Sequence, residues 1–274
     1  WDHGSGLIGF NNDNTDENQS SDTMFTSELV AALNSVEPYM DLIAFDSCLM
    51  AVAEVGYSLR NQTDVFVGSQ EVMYGFNHSV LYSILEESPR AVTAAELGSH
   101  FVDSFSAAYQ GLDGTSDTLS AMRTSEYDSL ASEILTFTTE TNTATSSDWN
   151  QLAQVRNSTM VYTYPYLRDF GSFLGGIKNS SVTQAIRDAA TDAHTELNAA
   201  TISKTNDRRS SSGMSIYLPR TTAIDAPNTD GFSGYVTEYA AFNSATNWFS
   251  FANKLRDELQ SQPTVSIDWS RSEE

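Results

Sequence analysis

The chain has 274 residues, a net charge of -22 and a pI of about 4.3, so nucleic acid and anionic membrane surfaces would repel it. Its one cysteine, Cys48, excludes an intrachain disulfide, and no apolar run reaches the roughly 18 residues that a membrane-spanning helix needs. The acid is dispersed, and only Lys178, Lys204 and Lys254 among the basic residues are lysine. Such a surface stays hydrated when salt screens its self-repulsion; a halophilic source and an ordinary acidic secreted protein both account for it.

The chain opens on Trp1-Asp2-His3-Gly4-Ser5-Gly6 and passes into Asn11 to Asp22, a polar stretch without one apolar residue. Its carboxylates and amides are oxygen donors of the kind calcium takes, but their order does not follow an EF-hand, and a solvated loop is the default reading. A helix over 28–34, capped by Ser27, precedes the apolar run Leu42-Ile43-Ala44-Phe45, which reads as a buried strand of a parallel sheet. A helix over 49–59 and a strand over 64–68 follow. Thr93-Ala94-Ala95-Glu96 is a capping box opening a helix to about 109, with Leu97, Phe101, Phe105 and Ala108 as its core stripe.

After a strand at 118–122 the pattern turns helical, at 125–141, 148–157, 166–176 and 182–198. The fourth opens on a second capping box, Ser181-Val182-Thr183-Gln184. A strand at 214–218 and a helix near 245–260 end the series. Alternation of strand and helix in the first half implies an α/β core over 1–124, followed by a largely helical region over 125–274 with one strand returning near 214–218.

Chemistry in open α/β sheets collects at the carboxyl ends of the strands, and Cys48 lies just past one of them. A histidine followed at once by glycine, with a lone cysteine one βα unit later, is a candidate thiol–imidazole pair. A thiol with its ordinary pKa of about 8.5 is only a few per cent thiolate at pH 7, so the sulfur needs help; a helix starting at Leu49 would point its positive end at it. Alternation along an extended segment puts Asp46 on the same side as Cys48, and Glu71 ends the next strand, so both are candidates for an acidic pocket. The remaining histidines, His78, His100 and His194, share no ligand spacing, so no zinc site is expected.

The phrases Trp1-Asp2-His3-Gly4-Ser5-Gly6, Ile43-Ala44-Phe45-Asp46-Ser47-Cys48-Leu49-Met50 and Val67-Gly68-Ser69-Gln70-Glu71 resemble, in order, the clostripain-like cysteine peptidases, relatives of caspases, gingipains and legumains. The resemblance returns weakly at Tyr166-Leu167-Arg168-Asp169-Phe170 and more clearly at Gly213-Met214-Ser215-Ile216-Tyr217-Leu218-Pro219. It implies a caspase-like, mostly parallel sheet flanked by helices, in a chain lacking the family's N-terminal strands. It also implies an endopeptidase with Cys48 as nucleophile, His3 as general acid/base and an oxyanion hole from the N–H groups of Gly4 and Cys48. Asp46 would stand at the base of the S1 pocket and select Arg or Lys, with Ser69 and Glu71 lining the same cleft. The implied partner is a peptide or protein substrate with a basic P1 residue; no cofactor is required, calcium stays open, and the expected state is a secreted or envelope-associated monomer. The alternatives are a catalytically silent binding module of the same fold and a peptidase with Asp or Asn specificity.

One departure has a testable consequence. Several members of the resembled family mature by self-cleavage after Lys or Arg between the catalytic histidine and cysteine, yet this chain has neither residue before Arg60. His3 and Cys48 should therefore stay on one continuous chain, as intact-mass analysis of the active protein can read. A cut between Gly9 and Asp41 that vanishes in Cys48→Ala would refute both this and the basic-P1 assignment.

Overall fold

The computed structural model describes residues 3–13, 22–36, 39–87, 92–109, 118–205, 210–220 and 232–261. A 3-10 turn at Gly6–Ile8 leads into a hairpin of β1 (Phe10–Asp13) and β2 (Asp22–Met24), then α1 (Thr26–Ser35). β3 (Met40–Ala44), α2 (Ala53–Leu59) and β4 (Thr63–Gly68) form a βαβ unit, followed by α3 (His78–Glu87), α4 (Ala94–Tyr109) and β5 (Ser120–Arg123). α5 (Tyr127–Glu140) and α6 (Ser146–Ser158) precede β6 (Leu167–Asp169), which runs straight into α7 (Phe170–Lys178). α8 (Gln184–Ala200), β7 (Thr201–Lys204), β8 (Ser215–Tyr217), α9 (Phe232–Glu238), α10 (Ala240–Thr246) and α11 (Trp248–Ser261) complete the described chain.

The main sheet has the order β3-β4-β5-β7. β3 and β4 pair in parallel, and β5 is antiparallel to both its neighbours, so β3, β4 and β7 point the same way in a mixed α/β sheet. The period of two along each strand sorts the side chains onto two faces. Val65 and Val67 of β4 and Ala121 of β5 meet Val102 and Phe105 of α4 and Leu81 of α3 on one side. Phe66 and Met122 join the larger core on the other, with residues of α2, α5, α7, α8 and α11. Phe45, at the end of β3, packs edge-on between Phe10 (5.2 Å) and Phe66 (5.7 Å), tying the hairpin to the sheet.

Several local expectations shift. α1 begins before Ser27; Glu28 takes the N–H of Phe25 at the cap position, and Ser27 donates its N–H and hydroxyl to Glu238, both at 2.6 Å. The box at Thr93 forms as read, with Glu96 N–H on Thr93 Oγ1 and Thr93 N–H on Glu96 Oε2. The buried stripe of α4 is Gly98, Val102 and Phe105, rotated from the expected one, and Ala108 is exposed. No box forms at Ser181, because Thr183 is the cap and spends its N–H on Asp148 at 2.7 Å. Among the described residues the second half returns three strands rather than one: β7 extends the main sheet, while β8 pairs with β6 and is bridged by Val52. Most of the candidate calcium loop, 14–21, lies outside the described residues.

Glu54 on α2 is fully buried and joins α2 to the C-terminal elements: Oε1 accepts from Tyr235 Oη at 2.6 Å and from Tyr217 N–H at 3.1 Å. Its Oε2 has no hydrogen-bond partner among the described residues. Burial pushes the carboxyl up to about 7, from an ordinary value of 4.5. The folded protein therefore keeps a proton that the unfolded chain releases; this stability is complete below about pH 4.5 and is lost as pH rises through about 7, on the order of 3 kcal/mol. Glu54→Gln should lose less stability than the parent between pH 5 and 8 in thermal unfolding, and equal losses would show that Glu54 is ionised in the fold.

Candidate active site

The site residues gather where the chain leaves β3 and β4, whose carboxyl ends lie side by side. Phe45 N–H continues the ladder to the Val67 carbonyl at 2.9 Å, after which the chain turns through Asp46, Ser47 and Cys48. The turn closes at Leu49, which takes the left-handed conformation (φ 64°) that a branched side chain rarely adopts. Leu49 N–H is held by the Glu71 carbonyl at 3.1 Å, and Ala51 N–H by the Ser69 carbonyl at 2.8 Å.

The chain therefore does not enter a helix at Leu49: after the left-handed turn it reaches an extended Val52, and α2 begins only at Ala53. This corrects the expectation of a helix starting at Leu49, and with it the helix end aimed at the sulfur. A different donor stands there: Met73 N–H lies 3.4 Å from Cys48 Sγ, with the Met73 carbonyl oxygen at 3.8 Å. Cys48 itself is half-buried.

Gly4 brings the amino-terminal segment onto this turn. A Cβ at position 4 would fall well inside contact distance of the Cys48 carbonyl oxygen, 2.9 Å from Cys48 N and 3.0 Å from Ser47 Cβ. Only glycine permits so close an approach of two backbones. Gly4 is also bridged to Phe10, with Ser5 N–H on the Gly9 carbonyl at 2.9 Å; in that antiparallel pattern the Gly4 N–H points away from the hairpin. His3, one residue before, is exposed. The structure thus brings His3, Gly4, Asp46 and Cys48 to one rim of the sheet.

Asp46 is nearly enclosed. Its Oδ1 accepts from Phe76 N–H at 3.1 Å, and its Oδ2 lies 3.0 Å from His78 Nε2. Tyr109 stands nearby, donating to the Gly75 carbonyl at 2.7 Å and stacked on Tyr74. Burial raises the Tyr109 pKa, and the charge of Asp46 adds to the effect. His78, Met73 and Tyr109 were not singled out as site residues. His78 offered no ligand spacing, and only its distance along the chain from the turn, closed by the loop 69–77, hid its pairing.

The side chains of Ser69 and Glu71 are turned into the protein, not toward the surface. Ser69 is fully buried; its hydroxyl donates to the Glu71 carbonyl at 2.9 Å and meets Thr118 Oγ1 at 2.8 Å, while its own carbonyl is taken by Ala51. Glu71 is buried too, its carboxylate accepting from Val72 N–H at 2.9 Å and from the N–H and hydroxyl of Thr163. Both side chains fasten the loop that carries Met73, because a buried carboxylate must have donors and the Thr163 segment supplies them. No group of His, Cys, Asp and Glu among the described residues is arranged to hold a metal.

Comparison with known proteins places this geometry. The model of the clostripain family matches residues 1–260. The fold is similar to a secreted C11 cysteine protease from Bacteroides thetaiotaomicron, solved with an irreversible peptide inhibitor, at TM-score 0.64 and 22% identity over 91% of this chain and 71% of that one. It is also similar to a B. fragilis cysteine protease, at TM-score 0.60 and 18% identity over 87% and 97% of the two chains. A clostripain from B. thetaiotaomicron in complex with the peptide inhibitor BTN-VLTK-AOMK aligns at TM-score 0.57 and 18% identity over 85% and 97%. No curated protein sequence matches significantly. With the family match spanning nearly the whole chain and its motifs converging on one rim of a caspase-like sheet, the chain belongs to the clostripain family of cysteine peptidases.

Proposed function

We propose that the chain is an endopeptidase that hydrolyses peptide bonds after Arg or Lys through Cys48 and His3. The observation that carries the reading is the seating of the Gly4 backbone on that of Cys48, with Met73 N–H beside the sulfur. In this mechanism the Cys48 thiolate attacks the scissile carbonyl, and the oxyanion forms against the N–H groups of Gly4 and Cys48. The outward aim of the Gly4 N–H supports its part. His3 protonates the departing amine, because an amine is expelled poorly without a proton, and then draws a proton from the water that hydrolyses the thioester.

Asp46 is the candidate anion for the P1 cation, two residues before the nucleophile and on its side of the turn. The VLTK peptide of the inhibitor bound to the B. thetaiotaomicron clostripain ends in lysine, which favours the same preference here. Ser69 and Glu71 act at one remove, by holding the loop that bears Met73.

A thiol alkylator carrying an Arg or Lys recognition element should label Cys48 rapidly, and Cys48→Ala should abolish hydrolysis without disturbing the fold. An alanine variant as active as the parent would sink the assignment. Gly4→Ala offers an independent check. The added methyl has no room against main chain that cannot give, so turnover should fall by about a hundredfold or more, the scale of losing one oxyanion donor. Unchanged kinetics in Gly4→Ala would mean that the contact is not part of the catalytic apparatus.

A further inference from the structure

We infer that His78 is a specificity-determining residue: its imidazole holds the Asp46 carboxylate in the absence of substrate and must be displaced by a basic P1 side chain. The inference rests on the reading of Asp46 as the P1 anion. Asp46 is 7% exposed in its side chain, and among the described residues Phe76 N–H is on its Oδ1 and His78 Nε2 on its Oδ2. The two partners differ in permanence. Phe76 N–H is main chain, and its ring is buried against Phe101 with centroids 4.9 Å apart. The His78 side chain is 52% exposed at the first residue of α3, and its ring contacts among the described residues are with the edge of Phe76 at 6.1 Å and the exposed Tyr82 at 6.4 Å.

A carboxylate only accepts, so the ring nitrogen facing it carries the proton. The imidazole therefore offers the donor chemistry that a guanidinium or ammonium would bring, at the oxygen such a group would seek. Swinging outward costs His78 that one hydrogen bond and shallow ring contacts, and Asp46 keeps Phe76 N–H throughout. Leaving one oxygen of an enclosed carboxylate unpaired is expensive, and His78 on Oδ2 avoids this while no substrate is bound. A neutral P1 residue leaves the pair intact. A basic one gains Asp46 only after displacing the ring, so the preference for Arg or Lys is weaker than Asp46 alone would impose.

Steady-state kinetics on two peptides that differ only at P1, arginine against its neutral isostere citrulline, test this in the parent, His78→Ala, His78→Gln and Asp46→Asn. His78→Ala should lower KM for the arginine peptide about threefold to fivefold, the range of one partly exposed polar pair, with kcat and the citrulline peptide unmoved. His78→Gln keeps a donor on Asp46 and should behave as the parent. A raised KM for arginine in His78→Ala, or an equal change on both peptides, would make His78 a scaffold for Asp46 and overturn the inference while leaving the Asp46 assignment standing. A parent that does not distinguish the two peptides, with Asp46→Asn altering neither, would remove the Asp46 assignment and this inference together.

Discussion

Main chain lies directly on main chain where Gly4 meets Ser47 and Cys48, and the architecture around the thiol is arranged so that this contact can exist. The amino-terminal segment is not part of the main sheet. It is held there by its bridge to the β1–β2 hairpin and by the ring of Phe10, which reaches Phe45 and through it Phe66. Edge-to-face aromatic pairs contribute about 0.5–1.5 kcal/mol each beyond the area they bury, so two of them give a short hairpin a purchase that its few ladder bonds do not. The turn carrying the thiol and the segment carrying His3 are thereby registered through apolar packing on one side and a backbone contact on the other.

The second face of the site is positioned by buried polar groups. Gln70 donates to Asp169 at 3.0 Å and accepts from Gly213 N–H at 2.9 Å; Asp169, fully buried, also takes donors from Tyr162, Ser172 and Ser212. Next to it, Glu71 takes Thr163. These contacts draw the segments after β4, around β6 and before β8 onto one centre, and a fully satisfied network of this kind gains from the low dielectric that would penalise any missing partner. The buried arginines extend it: Arg156 reaches the carbonyls of Leu218 and Pro165, and Arg168 those of Pro165 and Thr159. The helical second half thus acts as the mould in which the loop bearing Met73 is cast.

Much of this could be read from the sequence where one local rule dominated. The apolar run before Cys48 and the run ending at Gly68 do form strands and pair in parallel, although β3 stands at the edge of the sheet and is only half-buried, not the buried strand its composition suggests; Thr93 with Glu96 caps α4 as the box requires. The errors arise where a tertiary partner outbid the local signal. Residues 49–52 carry a helical pattern but are held out of the helix by the carbonyls of Ser69 and Glu71 and by the bridge from Val52 to Ser215. Ser181 has the chemistry of a cap, but Asp148 claims Thr183 N–H and sets the start of α8 two residues later. Ser69 and Glu71 were legible as residues near the site but not as buried fasteners, since their partners Thr118 and Thr163 are distant in the chain. The pairing of His78 with Asp46 had no local signal at all.

Leu49 carries a further implication. A branched, buried residue in the left-handed region sits at a cost of about 1–3 kcal/mol that the surrounding packing and the bond from its N–H to Glu71 must overcome. Glycine would adopt that conformation freely and would relieve the cost, but it would give up a core side chain and the stiffness that limits how far the preceding sulfur can wander. Losing a buried leucine costs about 2–5 kcal/mol, as much as the strain or more, so packing and aim hold the same residue in place. The strained turn is thus secured by the core beneath it, and the sulfur inherits its position from that packing.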